Sequence, residues 1–132
     1  MHAGSCLGIA WALRRDLRAL TARDAGLVLA TSIPAAVAGS LAADAVEERL
    51  GTRGQLATLL AGAGLLLWVA DRRPERTGIG AGQAAAAAVA QVAALAPGVS
   101  RSGAALTALR GLGVRRAEAQ RFSLLMSLPV TA

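Results

Sequence analysis

Apolar residues fall in five runs along this chain, and short stretches between the runs hold nearly all of its charge. The runs cover Met1 to Leu13, about Leu27 to Ala43, Gln55 to Ala70, Ile79 to Ala96, and Phe122 to Ala132. A bilayer crossing takes about 20 residues, so the first and last runs each read as half a span. Both ends of the chain therefore look cut, and residues 1–132 read as a single transmembrane domain truncated at each end. Pro34, near the middle of the second run, is expected to kink its helix. The fourth run is extremely alanine-rich, only weakly hydrophobic, and belongs inside a bundle rather than against lipid.

The polar stretches set an orientation. The first holds Arg14, Arg15, Arg18 and Arg23 against Asp16 and Asp24; the third holds Arg72, Arg73 and Arg76 against Asp71 and Glu75. The second is more acidic, with Arg49 and Arg53 against Asp44, Glu47 and Glu48. Positive charge stays on the cytoplasmic side, which makes the first and third loops internal and the second external. Trp11 and Trp68 each precede an arginine cluster by a few residues, as interfacial anchors do.

The fourth run then enters from the cytoplasm and ends at a Gly/Ser-rich break. Beyond it, Gly103 to Gly113 is too short to span and leads to Arg115, Arg116 and Arg121, which also belong inside. The economical solution is a re-entrant helix–loop–helix with the break at its tip; a full crossing with an external arginine cluster is the alternative. The fold class expected is all-α: a polytopic helical membrane protein.

Composition agrees. Hydrophobic residues make up 55% of the 132, there is no tyrosine and one phenylalanine, and all fourteen basic residues are arginines. A soluble core of this size would lack bulky packing groups. The net charge of +6 follows membrane topology, and no basic stripe interleaves with stacking aromatics as a nucleic-acid binder needs. Cys6 stands alone, so no internal disulfide forms, and it reads as a small buried hydrophobe. The first run has arginines after it and none before it, the reverse of a cleavable leader. The GxxxG spacings at Gly4/Gly8 and Gly78/Gly82 read as chance matches in a glycine-rich chain.

The break itself, Pro97-Gly98-Val99-Ser100-Arg101-Ser102-Gly103, carries the chemistry. Irregular backbone in an apolar setting needs a reason, because each unpaired peptide group in lipid costs several kcal/mol. Glycines let the backbone approach a ligand, successive N–H groups converge on an anion, and the following helix adds its positive end. A guanidinium grips phosphate oxygens with two parallel bonds. Arg101 and Ser100 are therefore the candidate catalytic residues, and Ser102, Gly98, Gly103 and Gln91 the candidate substrate contacts. Capping the next helix would account for one of the serines, and bridging helices would account for Gln91. Gln83 is a weaker candidate. Asp71, Glu75, Glu47, Glu48 and Glu118 read as solvated loop charges, with no carboxylate pair placed for metal-assisted phosphoryl transfer and no metal ligands named. His2 is the one histidine, and no nucleophile–base triad is visible.

The same motif, followed by Arg121-Phe122-Ser123 and Leu128-Pro129 and preceded by Thr31-Ser32-Ile33-Pro34 through Gly39, resembles the undecaprenyl-diphosphatase (bacitracin-resistance) family. The likeness covers essentially the whole chain but corresponds to the middle portion of a full-length member. It implies a membrane hydrolase that removes the terminal phosphate of undecaprenyl diphosphate to recycle the lipid carrier of cell-wall synthesis. It further implies inverted repeats, of which this chain holds about half, and a multi-pass protein of the bacterial inner membrane with its site facing away from the cytoplasm. Arg101 would match the arginine that meets the diphosphate. A divalent cation, magnesium or calcium, is implied, with its ligands in glutamate and histidine motifs upstream of this chain. Ala105 stands where the family usually has threonine, with Thr107 nearby on another side of the helix. The partners expected are undecaprenyl diphosphate and the membrane, no nucleic acid, with a homo-oligomer left open. A non-catalytic polyprenyl-phosphate binding or translocating module, or an inactive fragment, is the alternative function.

Overall fold

The computed structural model describes residues 21–50, 52–95 and 99–131, together with 8, 11–12 and 14–18. The readings placed on His2, Gly4, Cys6, Pro97 and Gly98 lie outside these residues. The described residues form helices and short turns with no strand. The helices are α1 (Arg14–Arg18), α2 (Ala22–Leu50), α3 (Arg53–Asp71), α4 (Ala81–Ala93), α5 (Arg101–Gly111) and α6 (Arg116–Thr131).

Two sequence boundaries move. The backbone of α2 is helical from Ala22 to Leu50, through Pro34 and through Asp44, Glu47, Glu48 and Arg49. The expected second loop thus becomes mostly helix, because polar residues such as Glu and Arg are good helix formers and nothing before Gly51 stops the chain. At the other end α6 begins at Arg116, more than a turn before Phe122, so Glu118 and Arg121 are helical. Thr52 caps α3, its hydroxyl accepting from the Gln55 N–H while the Gln55 side chain returns to the Thr52 N–H.

α2, α4, α5 and α6 meet around Val28, Ala84, Ala87, Ala105, Leu109, Val114, Ala119, Phe122, Leu125 and Met126. Alanines on α4 allow α5 to lie close against it, the usual way helices pack without a hydrophobic driving force. Ser32 ties α2 to α6, its hydroxyl donating to the Val28 carbonyl at 2.7 Å and reaching the Met126 carbonyl at 3.3 Å. α3 stands apart, packing chiefly on α5. Its one buried residue is Ala70, while Leu60, Leu65, Leu66, Trp68 and Val69 are exposed. At 19 residues it is the one helix among those described that is long and apolar enough to cross a membrane.

α4 and α5 form a hairpin whose two ends are joined. The Arg76 and Thr77 N–H groups both donate to the Gly113 carbonyl, and the Arg115 N–H donates to the Thr77 carbonyl. The chain therefore leaves this hairpin at the end where it came in. The arginines on either side, Arg72, Arg73 and Arg76 before it and Arg115 and Arg116 after it, gather at one end of the molecule. This arrangement fits the expected helix–loop–helix with both arginine clusters at one end, whereas the full-crossing alternative needs them at opposite ends. Helices of 13 and 11 residues reach only about 16–20 Å, short of the roughly 30 Å hydrocarbon layer.

Gly113 makes the closing turn, with φ +79°, and a Cβ there would lie 3.1 Å from the Pro74 carbonyl oxygen. Gly113→Ala is expected to cost about 1–2 kcal/mol from the left-handed backbone alone. Gly111→Ala, whose Cβ would touch only Ala70 at 4.0 Å, should be near neutral. Thermal unfolding of both variants in detergent checks the difference.

Candidate functional site

At the hairpin tip the chain turns from α4 into α5 through Val99 and Ser100. Ser100 is the N-cap of α5: its extended backbone (φ −69°, ψ 122°) starts the helix, and its hydroxyl accepts from the Gly103 N–H at 3.2 Å. The Ser102 hydroxyl lies 3.1 Å from that of Ser100, so the two serines share a proton-donating pair. A Cβ at position 103 would sit 3.2 Å from the Ser100 Cβ, which makes glycine a fit for this cap. Arg101 follows, half-buried, with no hydrogen bond or ion pair to any described residue. Among the described residues the tip thus offers two hydroxyls, a helix N-terminus and a guanidinium with no described partner.

Beside it lies a cleft of about 470 Å³ between α3 and the hairpin. Ser100, Gly103 and Thr107 supply its polar edge, and Leu60, Leu67, Ala90 and Ala104 are among its apolar walls. The tip shares this cleft with the middle of α3, not with its end. Thr107 donates to the Gly103 carbonyl at 2.8 Å, and it stands on the cleft side of α5. Ala105 is fully buried on the core side, so the two positions do face different ways.

Gln91 does not join the cleft. It shares a helix face with Ala84, Ala87 and Ala88 and is buried, with its Oε1 lacking a partner among the described residues. Gln83 has a local explanation, since its Oε1 accepts the Gly80 N–H and closes the first turn of α4.

The hairpin base holds what the sequence reading missed. Arg110 is 1% exposed. Its Nε donates to Asp71 Oδ1 at 2.8 Å, and its Nη2 donates to the carbonyls of Asp71 at 2.8 Å and Arg73 at 2.9 Å. Its Nη1 donates to the Val114 carbonyl. Arg116 grips the same carboxylate from outside, with Nε to Oδ1 at 3.0 Å and Nη2 to Oδ2 at 2.7 Å. The Glu75 carboxylate accepts the Arg116 backbone N–H at 2.9 Å. Arg115 pairs with Glu118, which pushes its guanidinium further above the ordinary arginine value and keeps it charged.

Asp71, Glu75 and Glu118 are therefore not simply solvated charges. They are bonded to guanidiniums and backbone at the end of the hairpin away from Arg101. The only sequence signal for Arg110 was an arginine inside the exit helix rather than in a loop. Among the described residues no group of three His, Cys, Asp or Glu is placed to hold a metal ion. The described side chains of the tip are hydroxyls and a guanidinium, which do not make a divalent-cation ligand set.

These features define an all-helical protein whose α4–α5 hairpin carries a serine-capped tip with an apolar cleft beside it. The sequence profile described as "Bacitracin resistance protein BacA" matches residues 1–132, and the chain belongs to that family. It is similar to proteins named undecaprenyl-diphosphatase. The one from Rubrobacter xylanophilus is 44% identical over 124 residues, covering 89% of this chain and 45% of the relative. The one from Teredinibacter turnerae is 43% identical over 107 residues, covering 78% and 40%. The one from Maricaulis maris is 35% identical over 150 aligned positions, covering 99% and 56%. The chain spans about half the length of the curated relatives it matches.

Arg110→Met is expected to leave the Asp71, Arg73 and Val114 acceptors short of donors and to cost roughly 3 kcal/mol, as breaking a buried pair does. Arg110→Lys should recover only part of this, because an ammonium cannot fork to all of them. Denaturation in detergent, followed by far-UV circular dichroism, measures both.

Proposed function

We propose that this chain is the lipid-diphosphate-binding half of an undecaprenyl-diphosphatase. The observation that carries the reading is the hairpin tip, where Ser100 and Gly103 line an apolar cleft and the intervening Arg101 makes no side-chain bond to any described residue. An amphiphile with a phosphorylated head and an aliphatic tail needs both, side by side. Arg101 would hold the diphosphate, with Ser100 and Ser102 donating to its oxygens and the Gly98–Gly103 backbone allowing the close approach. The polyprenyl tail would leave along Leu60 and Leu67. Gln91, buried on the Ala84–Ala87 face of α4 and away from the cleft, is left out of this reading.

In the complete reaction water attacks the terminal phosphorus and the bond to the bridging oxygen breaks. Undecaprenyl phosphate and inorganic phosphate result. Arg101 and the α5 N-terminus would stabilise the charge that builds on the phosphoryl oxygens. Carrier recycling of this kind serves cell-wall synthesis and would link the protein to bacitracin resistance. The setting we infer is the bacterial inner membrane, with several helices crossing it, an inverted-repeat bundle completed by segments outside this chain, and the tip opening away from the cytoplasm. The arginine-rich hairpin base supports that orientation.

A second reading, a polyprenyl-phosphate binding module without chemistry, is favoured by one observation: the described residues bring no carboxylate or imidazole to the tip. Release of phosphate from undecaprenyl diphosphate by the vesicle-reconstituted chain, with and without magnesium, separates the two.

Binding tests the shared part. Arg101→Ala is expected to weaken undecaprenyl phosphate binding at least about tenfold, the worth of one charge-assisted bond. Gly64→Leu, at a position with open space around it, should fill the cleft and weaken binding of the long-chain lipid while leaving inorganic diphosphate unaffected. Isothermal titration in detergent gives both constants. Undiminished lipid binding by Arg101→Ala removes that residue from the site.

A further inference from the structure

A second cleft, of about 350 Å³, opens at the hairpin base and is lined by Leu67, Trp68, Asp71, Leu106, Arg116 and Gln120, with Gly64 between it and the first. The proposed lipid-diphosphate chemistry does not use it. Its rim is unusual in two ways. The Arg72 guanidinium lies over the exposed Trp68 ring, 3.5 Å from its centre. The turn that carries Arg72 and Arg73 is held by its own backbone, since Arg110 binds the Asp71 and Arg73 carbonyls. Exposed guanidiniums are thus mounted on a fixed corner rather than on a loose loop.

The charge at this corner favours an anion. Four arginines, Arg72, Arg73, Arg110 and Arg116, stand here against two carboxylates, Asp71 and Glu75, and Arg110 and Arg116 already satisfy Asp71. Arg72 and Arg73 have no carboxylate partner among the described residues. Below them the cleft wall turns apolar, through Leu67, Leu106 and the Trp68 ring. A charged rim above an apolar slot, at the arginine-rich end of a membrane-crossing helix, matches an anionic phospholipid. Basic pockets between helices on the cytoplasmic side recognise such headgroups, and tryptophan seats at the same level.

We propose that the Trp68–Arg72–Arg116 corner is a binding site for one anionic phospholipid, distinct from the tip, with the headgroup phosphate between Arg72 and Arg116 and an acyl chain between Leu67 and Leu106. The inference rests on α3 lying in a membrane, which belongs to the functional reading above.

The test uses the whole chain with Trp11→Phe, which leaves Trp68 as its single tryptophan. It is reconstituted in phosphatidylcholine vesicles that contain, at equal mole fraction, acyl-brominated phosphatidylglycerol or acyl-brominated phosphatidylcholine. Phosphatidylglycerol is expected to quench Trp68 with an apparent affinity about fivefold higher, the attraction of roughly one guanidinium near an anionic surface. The preference should shrink in 0.5 M salt (about a 4 Å screening length). It should fall towards one in Arg72→Gln/Arg73→Gln, whose circular dichroism should match the parent. Equal quenching by the two lipids, or a preference that survives the double substitution, overturns the site while leaving the membrane reading intact. Quenching by neither lipid overturns the membrane placement of α3 and the site with it.

Discussion

A buried guanidinium holds this structure in shape. Arg110 lies out of solvent on a short helix, and an isolated charge there would be far too costly to keep. It survives because each face of its fork finds an acceptor: the Asp71 carboxylate at the end of α3, the Asp71 and Arg73 carbonyls, and the Val114 carbonyl in the turn between α5 and α6. One residue thus joins the end of α3, the start of the hairpin and its finish. With these three points fixed, α5 can only run alongside α3, and its N-terminus stops at the level of mid-α3. The depth of the tip follows from a bond made at the opposite end of the helix.

The two ends of the hairpin divide the work. The base is cross-linked by charge-assisted bonds and by paired backbone groups around Gly113. The described tip has its helix cap and little else: Ser100 lines the cleft, and Arg101, next to it in the chain, makes no side-chain bond to another described residue. Between the ends, close packing is left to small residues: Ala84 and Ala87 from α4 and Ala105 from α5. Such contacts keep two helices at a fixed distance but add no groups that compete with a ligand.

Much of this was legible in the sequence, for physical reasons that can be named. The hairpin was readable because Gly103 to Gly113 is too short to cross and is flanked by arginines that belong on one side. The tip was readable because Ser-Arg-Ser between glycines has few uses in an apolar chain. Helix ends were harder to see. Asp44 through Arg49 looks like a loop by charge and is helix by propensity, and Glu118 and Arg121 are likewise absorbed into α6. Arg110 and its partner Asp71 stayed hidden because they are 39 residues apart, and pairing over that distance depends on a fold that charge counts do not reveal. Gln83 and Gln91 show the same limit. Identical side chains on one helix turn out to be a cap and a buried, half-satisfied amide.

The separation of charges along the hairpin has a chemical consequence. All the carboxylates seen near it, Asp71, Glu75 and Glu118, are drawn to the base by Arg110, Arg115 and Arg116. Had one of them stood near the tip, it would have paired with Arg101 and cancelled the attraction for an anionic ligand. Holding these three acids at the base keeps them from pairing with the tip guanidinium. Among the described residues the hairpin is thus divided by charge, with its carboxylates committed to the guanidiniums of the base and its hydroxyls and Arg101 left at the tip.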